Sequence, residues 1–201
     1  MTSKRRKFLR PAGERHYRKL FLLAVEGRKT EPQYFSLFSD RQAVIQIKCL
    51  KSNDNSSPEY VLKRMTTYLS RAEIRDSDEA WLVVDKDQWT DAQLGLLHTW
   101  AQKRVNYGLA LSNPSFEYWL LLHFEDGSNV TTRRDCYDRL QRHLPGYNKN
   151  LDTSKVTPDR IADAIRRARQ RDNPPSTDWP RKFGNTTVYR LVSNILNQIR
   201  L

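Results

Sequence analysis

Three acidic residues stand where two apolar runs end. Val25-Glu26-Gly27 closes the run Lys19 to Val25 (KLFLLAV), and Val84-Asp85-Lys86-Asp87 closes the run Ala80 to Val84 (AWLVV). If the second stretch stays extended, alternation puts Asp85 and Asp87 on the same side of the chain. Lys86 then points to the opposite side and receives no catalytic role. Carboxylates placed this way form a hard oxygen site, which suits Mg²⁺ (or Mn²⁺) binding together with substrate phosphates. An isolated Asp-x-Asp is more often a turn or helix cap, and Glu26 alone would more often be a solvated loop residue. Together the three acids repel one another unless a cation lies between them. Such a centre could cleave a phosphodiester, which needs charge stabilisation at the nonbridging oxygens and an activated water. Glu26 could take the proton of that water or give one to the leaving oxygen. Gly27 would allow a tight turn or the close approach of a ligand.

The elements that must position these acids can be read from the apolar pattern. Lys19 to Val25 and Ala80 to Val84 read as strands buried on both faces, Ala43 to Leu50 as a half-buried strand, and Gly108 to Leu111 as a short fourth strand. Continuous apolar runs of this length suit a parallel sheet covered by helices. Helix starts lie between them. Thr30-Glu31-Pro32-Gln33 and Thr90-Asp91-Ala92-Gln93 have the capping-box pattern. Ser57-Pro58 and Thr157-Pro158 place Pro at the first helical position. The expected fold is α/β: an open, mainly parallel sheet flanked by helices over 19–125, then a helical extension over 126–201 packed on it. In that extension helices are expected near Arg133 to Leu144, Pro158 to Arg171 and Thr186 to Leu201. Ligands of open parallel sheets bind outside the carboxyl ends of the strands, where the three acids lie.

Other residues admit two readings. Glu31 and Glu117 each fall in the first turn of an expected helix, where the dipole favours an acid in any protein, and each could equally be a site carboxylate. Arg28 and Lys29 follow Glu26 and could meet a phosphate or remain in a solvated turn. Tyr147-Asn148-Lys149 is a candidate phosphate contact. Arg166 and Arg167 belong to an arginine-rich helix that is either a solvated face or a flank of the substrate strand. Phe116, Trp119, Leu120 and His123 have helical spacing and read as core.

Formal net charge is +12, which points to a polyanionic partner such as nucleic acid. Residues 3 to 20 carry eight Lys/Arg and one Glu, so residues 1–18 read as a basic arm, either solvated or nucleic-acid-contacting. Two distant cysteines make neither a disulfide framework nor a metal box. A reduced, cytoplasmic compartment is expected, with no secretory leader and no membrane span.

Residues 21 to 38, FLLAVEGRKTEPQYFSLF, resemble the opening of the RloB-like protein family, a strand followed by Glu-Gly-x-x-Thr-Glu-Pro-x-Tyr-Phe. Here this is Glu26, Gly27, Thr30, Glu31, Pro32, Tyr34 and Phe35. The aspartate motif follows at Asp85 and Asp87, and Ser112 to Phe124 (SNPSFEYWLLLHF) matches the longest block of that family. The resemblance implies a Toprim-like core in which Glu26 is general acid/base or metal ligand and Asp85 and Asp87 hold Mg²⁺. It favours the site reading of Glu117. It also implies a phage-defence effector from restriction-linked or abortive-infection loci, working beside an AAA-type ATPase partner. The chain has no G-x-x-x-x-G-K-[ST] loop and cannot supply that ATPase itself.

The leading expectation is a metal-dependent nuclease acting on DNA or RNA. The alternative is a non-catalytic nucleic-acid or nucleotide-binding subunit of a defence complex. A nucleotidyl transferase or topoisomerase would need further domains. Association into homo-oligomers stays open.

Overall fold

The computed structural model describes residues 18–39, 44–51 and 57–199. The basic arm therefore lies outside the described residues except for Arg18, as do Ala43 and Leu201.

The described residues form a five-stranded sheet. Its strands are β1 (Lys19–Val25), β2 (Ile45–Leu50), β3 (Glu79–Asp85), β4 (Tyr107–Asn113) and β5 (Asn185–Thr186). The order across the sheet is β2-β1-β3-β4-β5, with all pairs parallel except β4 with β5. The helices are α1 (Thr30–Ser36), α2 (Pro58–Leu69), α3 (Asp91–Ala101), α4 (Phe116–Leu121), α5 (Arg133–His143), α6 (Pro158–Arg171) and α7 (Val188–Ile199).

The apolar runs of β1, β3 and β4 are explained by burial on both faces. Alternate residues enter alternate layers. Phe21, Leu23, Val25, Trp81 and Val83 join side chains of α1, α4, α5, α6 and α7. Leu22, Ala24, Leu82, Val84 and Leu111 join α2 and α3. A parallel sheet sandwiched in this way leaves its strand ends as the place where polar groups collect.

The strand order brings the acids together. β1 crosses to β2 on one side, whereas β3 crosses to β4 on the other. The crevice between β1 and β3 is therefore a topological switch point, where ligands of open α/β sheets bind. Glu26 leaves β1 and Asp85 ends β3 at that crevice. The ladder runs one residue past each strand, with Glu26 N–H donating to Val83 O at 3.0 Å and Lys86 N–H to Ser112 O at 2.7 Å.

The extension is not purely helical. β5 pairs antiparallel with β4, Ser112 opposite Thr186 and Asn113 opposite Asn185. A two-residue strand has no readable period, which is why the sequence shows only helix there. Thr187 strengthens the joint, its hydroxyl accepting from Leu111 N–H at 3.0 Å.

The expected helix starts fare differently. Thr90 makes the full capping box with Gln93, and Thr157 accepts from Arg160 N–H. Ser57 precedes Pro58 at the first helical position without a side-chain cap bond. Thr30 is not a cap. Lys29 occupies that position and Thr30 is the first helical residue, its hydroxyl donating to Lys149 O at 2.9 Å and lying 3.1 Å from the Tyr147 hydroxyl oxygen. A tertiary partner has outcompeted the local cap.

One close contact gives a stability prediction. Gly108 on β4 lies beside Trp81 on β3, and a Cβ there would stand 2.4 Å from Trp81 Cε3. Gly108→Ala should cost about 1–3 kcal/mol as overpacking, less the few tenths gained in the unfolded chain. Urea denaturation reads this as a lower midpoint at unchanged slope.

Candidate active site

At the switch point the Glu26 carboxylate reaches β3. Its Oε2 accepts a hydrogen bond from Asp85 N–H at 3.0 Å. Asp85 is 8% exposed, and its Oδ1 accepts from Phe116 N–H at 2.8 Å, at the start of α4. Asp87 arrives differently from the expected alternation. β3 ends at Asp85, and Asp87 turns into the left-handed region at φ 35°, its N–H donating to Pro114 O at 3.1 Å. An aspartate tolerates that backbone. The two carboxylates still meet one cation, because Arg133 at the start of α5 contacts Asp87 Oδ2 at 2.8 Å and Asp85 Oδ2 at 3.8 Å.

Glu31 and Glu117 both lie in this region. Glu31 folds back so that its Oε1 accepts from Gly27 N–H at 2.8 Å. A Cβ at Gly27 would lie 2.1 Å from the Glu31 carboxylate. The close approach that Gly27 permits is thus by Glu31. Glu117, 3% exposed, accepts from the Ser115 hydroxyl at 2.6 Å and from the Tyr147 hydroxyl at 3.0 Å, and is ion-paired with Lys149. For both acids the helix-dipole reading is too small, since each has specific tertiary or turn partners.

The charge balance sets the protonation states. Burial raises the Glu26 pKa from the ordinary 4.5 to about 7; the Asp85 N–H bond opposes this, and the negative charges of Glu31 and Asp87 add to it. Asp85 is raised well above its usual range by burial, then by Glu26, Glu31 and Glu117, with Arg133 opposing. Glu31 is raised by burial, against its backbone hydrogen bonds. Glu117 is the exception. Burial pushes it up, but Lys149 and the Ser115 hydroxyl outweigh that, and it stays below the ordinary value. The result is a cluster of acids whose negative charge the neighbouring cations only partly neutralise.

Sequence reasoning missed two arginines. Arg133 looked like any first residue of a basic helix. Arg64 on α2 donates Nη2 to Val25 O at 2.6 Å, immediately before Glu26. Its Nε and Nη1 are buried with no hydrogen-bond partner among the described residues, and Glu26 and Glu31 are the charges that support it against burial. No spacing signal could have marked either residue, because both roles depend on which strand end the helix start or helix face meets.

The other expected residues are dispersed. Arg28 and Lys29 are exposed on the turn after Glu26. Lys149 is at the acids, through Glu117. Arg166 is exposed and paired with Asp163 at 2.9 Å. Arg167 is spent inside the fold, donating to Leu122 O at 2.8 Å. Among the described residues no contact joins either of the last two to the acids. His123 is a core residue, as its spacing suggests. Its Nδ1 lies 3.0 Å from Trp119 O and its Nε2 3.2 Å from the Tyr34 hydroxyl, and burial lowers its pKa to about 4.

Fold and site together define an α/β protein with an acidic centre at the carboxyl edge of its sheet. The family model described as RloB-like protein matches residues 21–195, and the chain belongs to the RloB-like protein family. Searches of the curated proteins and of the solved structures found no significant match.

Proposed function

We propose that the chain is a Toprim-type, Mg²⁺-dependent phosphodiesterase that cuts nucleic acid. The observation that carries this reading is the Glu26 carboxylate seated on the Asp85 peptide N–H, at the one crevice where a doubly wound sheet binds ligands. The donor set also fits the ion. It is all carboxylate oxygen, it is under-neutralised, and Mg²⁺ prefers such ligands. Among the described residues no three acidic, His or Cys groups stand ready as a ligand set; Arg133 presently answers the Asp85 and Asp87 charges.

Glu26, Asp85 and Asp87 would hold the metal, which when bound supplies Lewis acidity toward the phosphoryl oxygens. The remaining work falls to the chain. Glu26, with a pKa near 7, can hold or release a proton at neutral pH, the property required of a general acid/base. Glu117, kept ionised by Lys149, and Glu31, fixed on Gly27 N–H, hold the walls of the centre. Arg133 can meet two nonbridging phosphate oxygens with paired N–H donors.

Family membership and two free cysteines, Cys49 and Cys136, support a cytoplasmic phage-defence effector with an AAA-type ATPase partner. Among the described residues no helix is long and apolar enough to cross a membrane. One observation favours a binding-only reading: Arg133 already contacts both Asp85 and Asp87.

The test has two readouts. Cleavage of single- and double-stranded DNA and RNA is followed with Mg²⁺ and with EDTA, for the wild type and for Glu26→Gln. Loss of the general acid/base should reduce the rate about 10²–10⁴-fold. In parallel, Mg²⁺ should raise the wild-type Tm by preferential binding to the folded state. No cleavage of any substrate together with no Mg²⁺-dependent Tm shift would overturn the metal-dependent reading.

A further inference from the structure

A cleft of about 350 Å³ opens beside the acids, lined by Glu117, Arg133, Arg134, Tyr137 and Lys149. We propose that it seats one unstacked nucleotide of a single-stranded nucleic acid, its phosphate on Arg133 and Lys149 and its base against Tyr137. This rests on reading the acids as a phosphodiester-cleaving centre and names the form of substrate that centre accepts.

Three of the five lining residues are cations and one, Glu117, is an acid, so the lining itself is net positive, although Lys149 is paired with Glu117 and Arg133 with Asp87. The lining therefore suits an anion. Arg133 is shared between this cleft and the Asp85–Asp87 pair, so a phosphate held by Arg133 lies next to the acids. Arg134 is held to Asp138 through its Nε, at 3.1 and 3.2 Å, and its terminal nitrogens make no bond among the described residues. Tyr137 supplies the flat wall. Its hydroxyl donates to Tyr147 O at 2.8 Å and accepts from Gln141 Nε2 at 3.3 Å, which fixes the ring before any ligand arrives. Aromatic rings fixed along a basic groove bind bases by stacking with little regard to sequence.

Size selects the strand form. The volume lies at the low end of ligand clefts, roughly 300–1,000 Å³, enough for one nucleotide. A base paired within a duplex presents no free face to Tyr137, so the duplex must either be absent or be opened at that position.

The test is binding by the full chain in EDTA, read as fluorescence anisotropy of labelled oligothymidylate and oligouridylate of about 12 nucleotides, within the span such grooves cover. Tyr137→Leu should weaken binding about tenfold, whereas Tyr137→Phe, which keeps the ring, should stay within about twofold. Arg134→Ala, at an exposed position, should weaken binding and reduce the slope against log salt by about one. An unlabelled hairpin duplex should compete at least about tenfold more weakly than the single strand. Tight binding of either strand supports the proposal, and the tighter one names the substrate. Wild-type affinity in both Tyr137→Leu and Arg134→Ala overturns it, as does equal competition by the duplex. If Tyr137→Leu does not fold, Arg134→Ala and the competition decide. The two readings fail separately: unaltered binding with Glu26-dependent cleavage removes the cleft and spares the acids, and cleft-dependent binding without cleavage in Mg²⁺ does the reverse.

Discussion

Asp85→Asn should lose about 10²–10³-fold in cleavage rate and at the same time raise the Tm. Both effects come from one placement. Asp85 is nearly buried, faces three other carboxylates and holds its pKa well above the usual range, so the native state binds a proton more tightly than the unfolded chain does. Above the unfolded pKa near 3.9 that difference is a cost to folding. Asn keeps the size and an acceptor oxygen for Phe116 N–H but carries no charge. Relief of such strain commonly returns about 0.5–2 kcal/mol. In a chain of this size each kcal/mol moves the Tm by roughly 2–4 °C. Glu26 gives the pH signature. Its folded pKa of about 7 exceeds the ordinary 4.5, so wild-type stability should fall as pH rises from 4.5 to 7, and the fall should be shallower in Asp85→Asn. Calorimetry across that window checks the slope. A drop in Tm would show that the Asp85 charge stabilises the fold, contrary to the burial argument.

Arg190→Met should destabilise by about 3 kcal/mol, the low end for breaking a buried pair, because Arg190 keeps some exposure. Its partner Asp172 has a fully buried side chain. That carboxylate ends α6 and accepts from Ser176 N–H at 2.9 Å, from the Tyr189 hydroxyl at 2.9 Å and from Arg190 Nη2 at 2.8 Å. Burial pushes its pKa up, but the bonds from Ser176, Tyr189 and Arg190 outweigh this and hold it below the ordinary 3.8. The sign follows. The contribution is present above the unfolded pKa and is lost as pH falls through the lower folded value. Arg190→Met should therefore lower the Tm at neutral pH and flatten the acid limb of the stability curve, and Arg190→Lys should recover part of the loss. An unchanged acid limb would mean that Arg190 is not what sustains the ionised Asp172.

These two carboxylates also show what the sequence could reveal. Glu26 and Asp85 were legible because a strand buried on both faces ends abruptly, and the first polar residue after it must sit at the sheet edge. That β1, β3 and β4 are strands covered on both faces was legible from the same apolar runs, whereas their order across the sheet was not. Glu31 and Glu117 were half legible, since a first-turn acid looks alike whether it answers the dipole or a distant lysine. Arg64, Arg133 and Asp172 were not legible. An arginine or aspartate carries no local mark of the surface that folds against it. Thr30 was misread because its capping pattern is local, whereas Tyr147 and Lys149 lie 117 and 119 residues away. β5 was too short to show any alternation. Among the basic residues, composition showed the number but not the destination: Arg167 serves a carbonyl inside the fold and Arg134 opens on the cleft.

The dependence of Thr30 on Lys149 has a consequence for synthesis. Translation delivers Glu26, Glu31, Asp85, Asp87 and Glu117 before it delivers Arg133, Tyr147 and Lys149. A nascent chain still on the ribosome holds the acids without the residues that orient Glu117 and bridge the aspartates. The centre is therefore assembled only after Lys149 has been made, and no shorter nascent chain can carry the Lys149–Glu117 pair or the Thr30–Lys149 hydrogen bond.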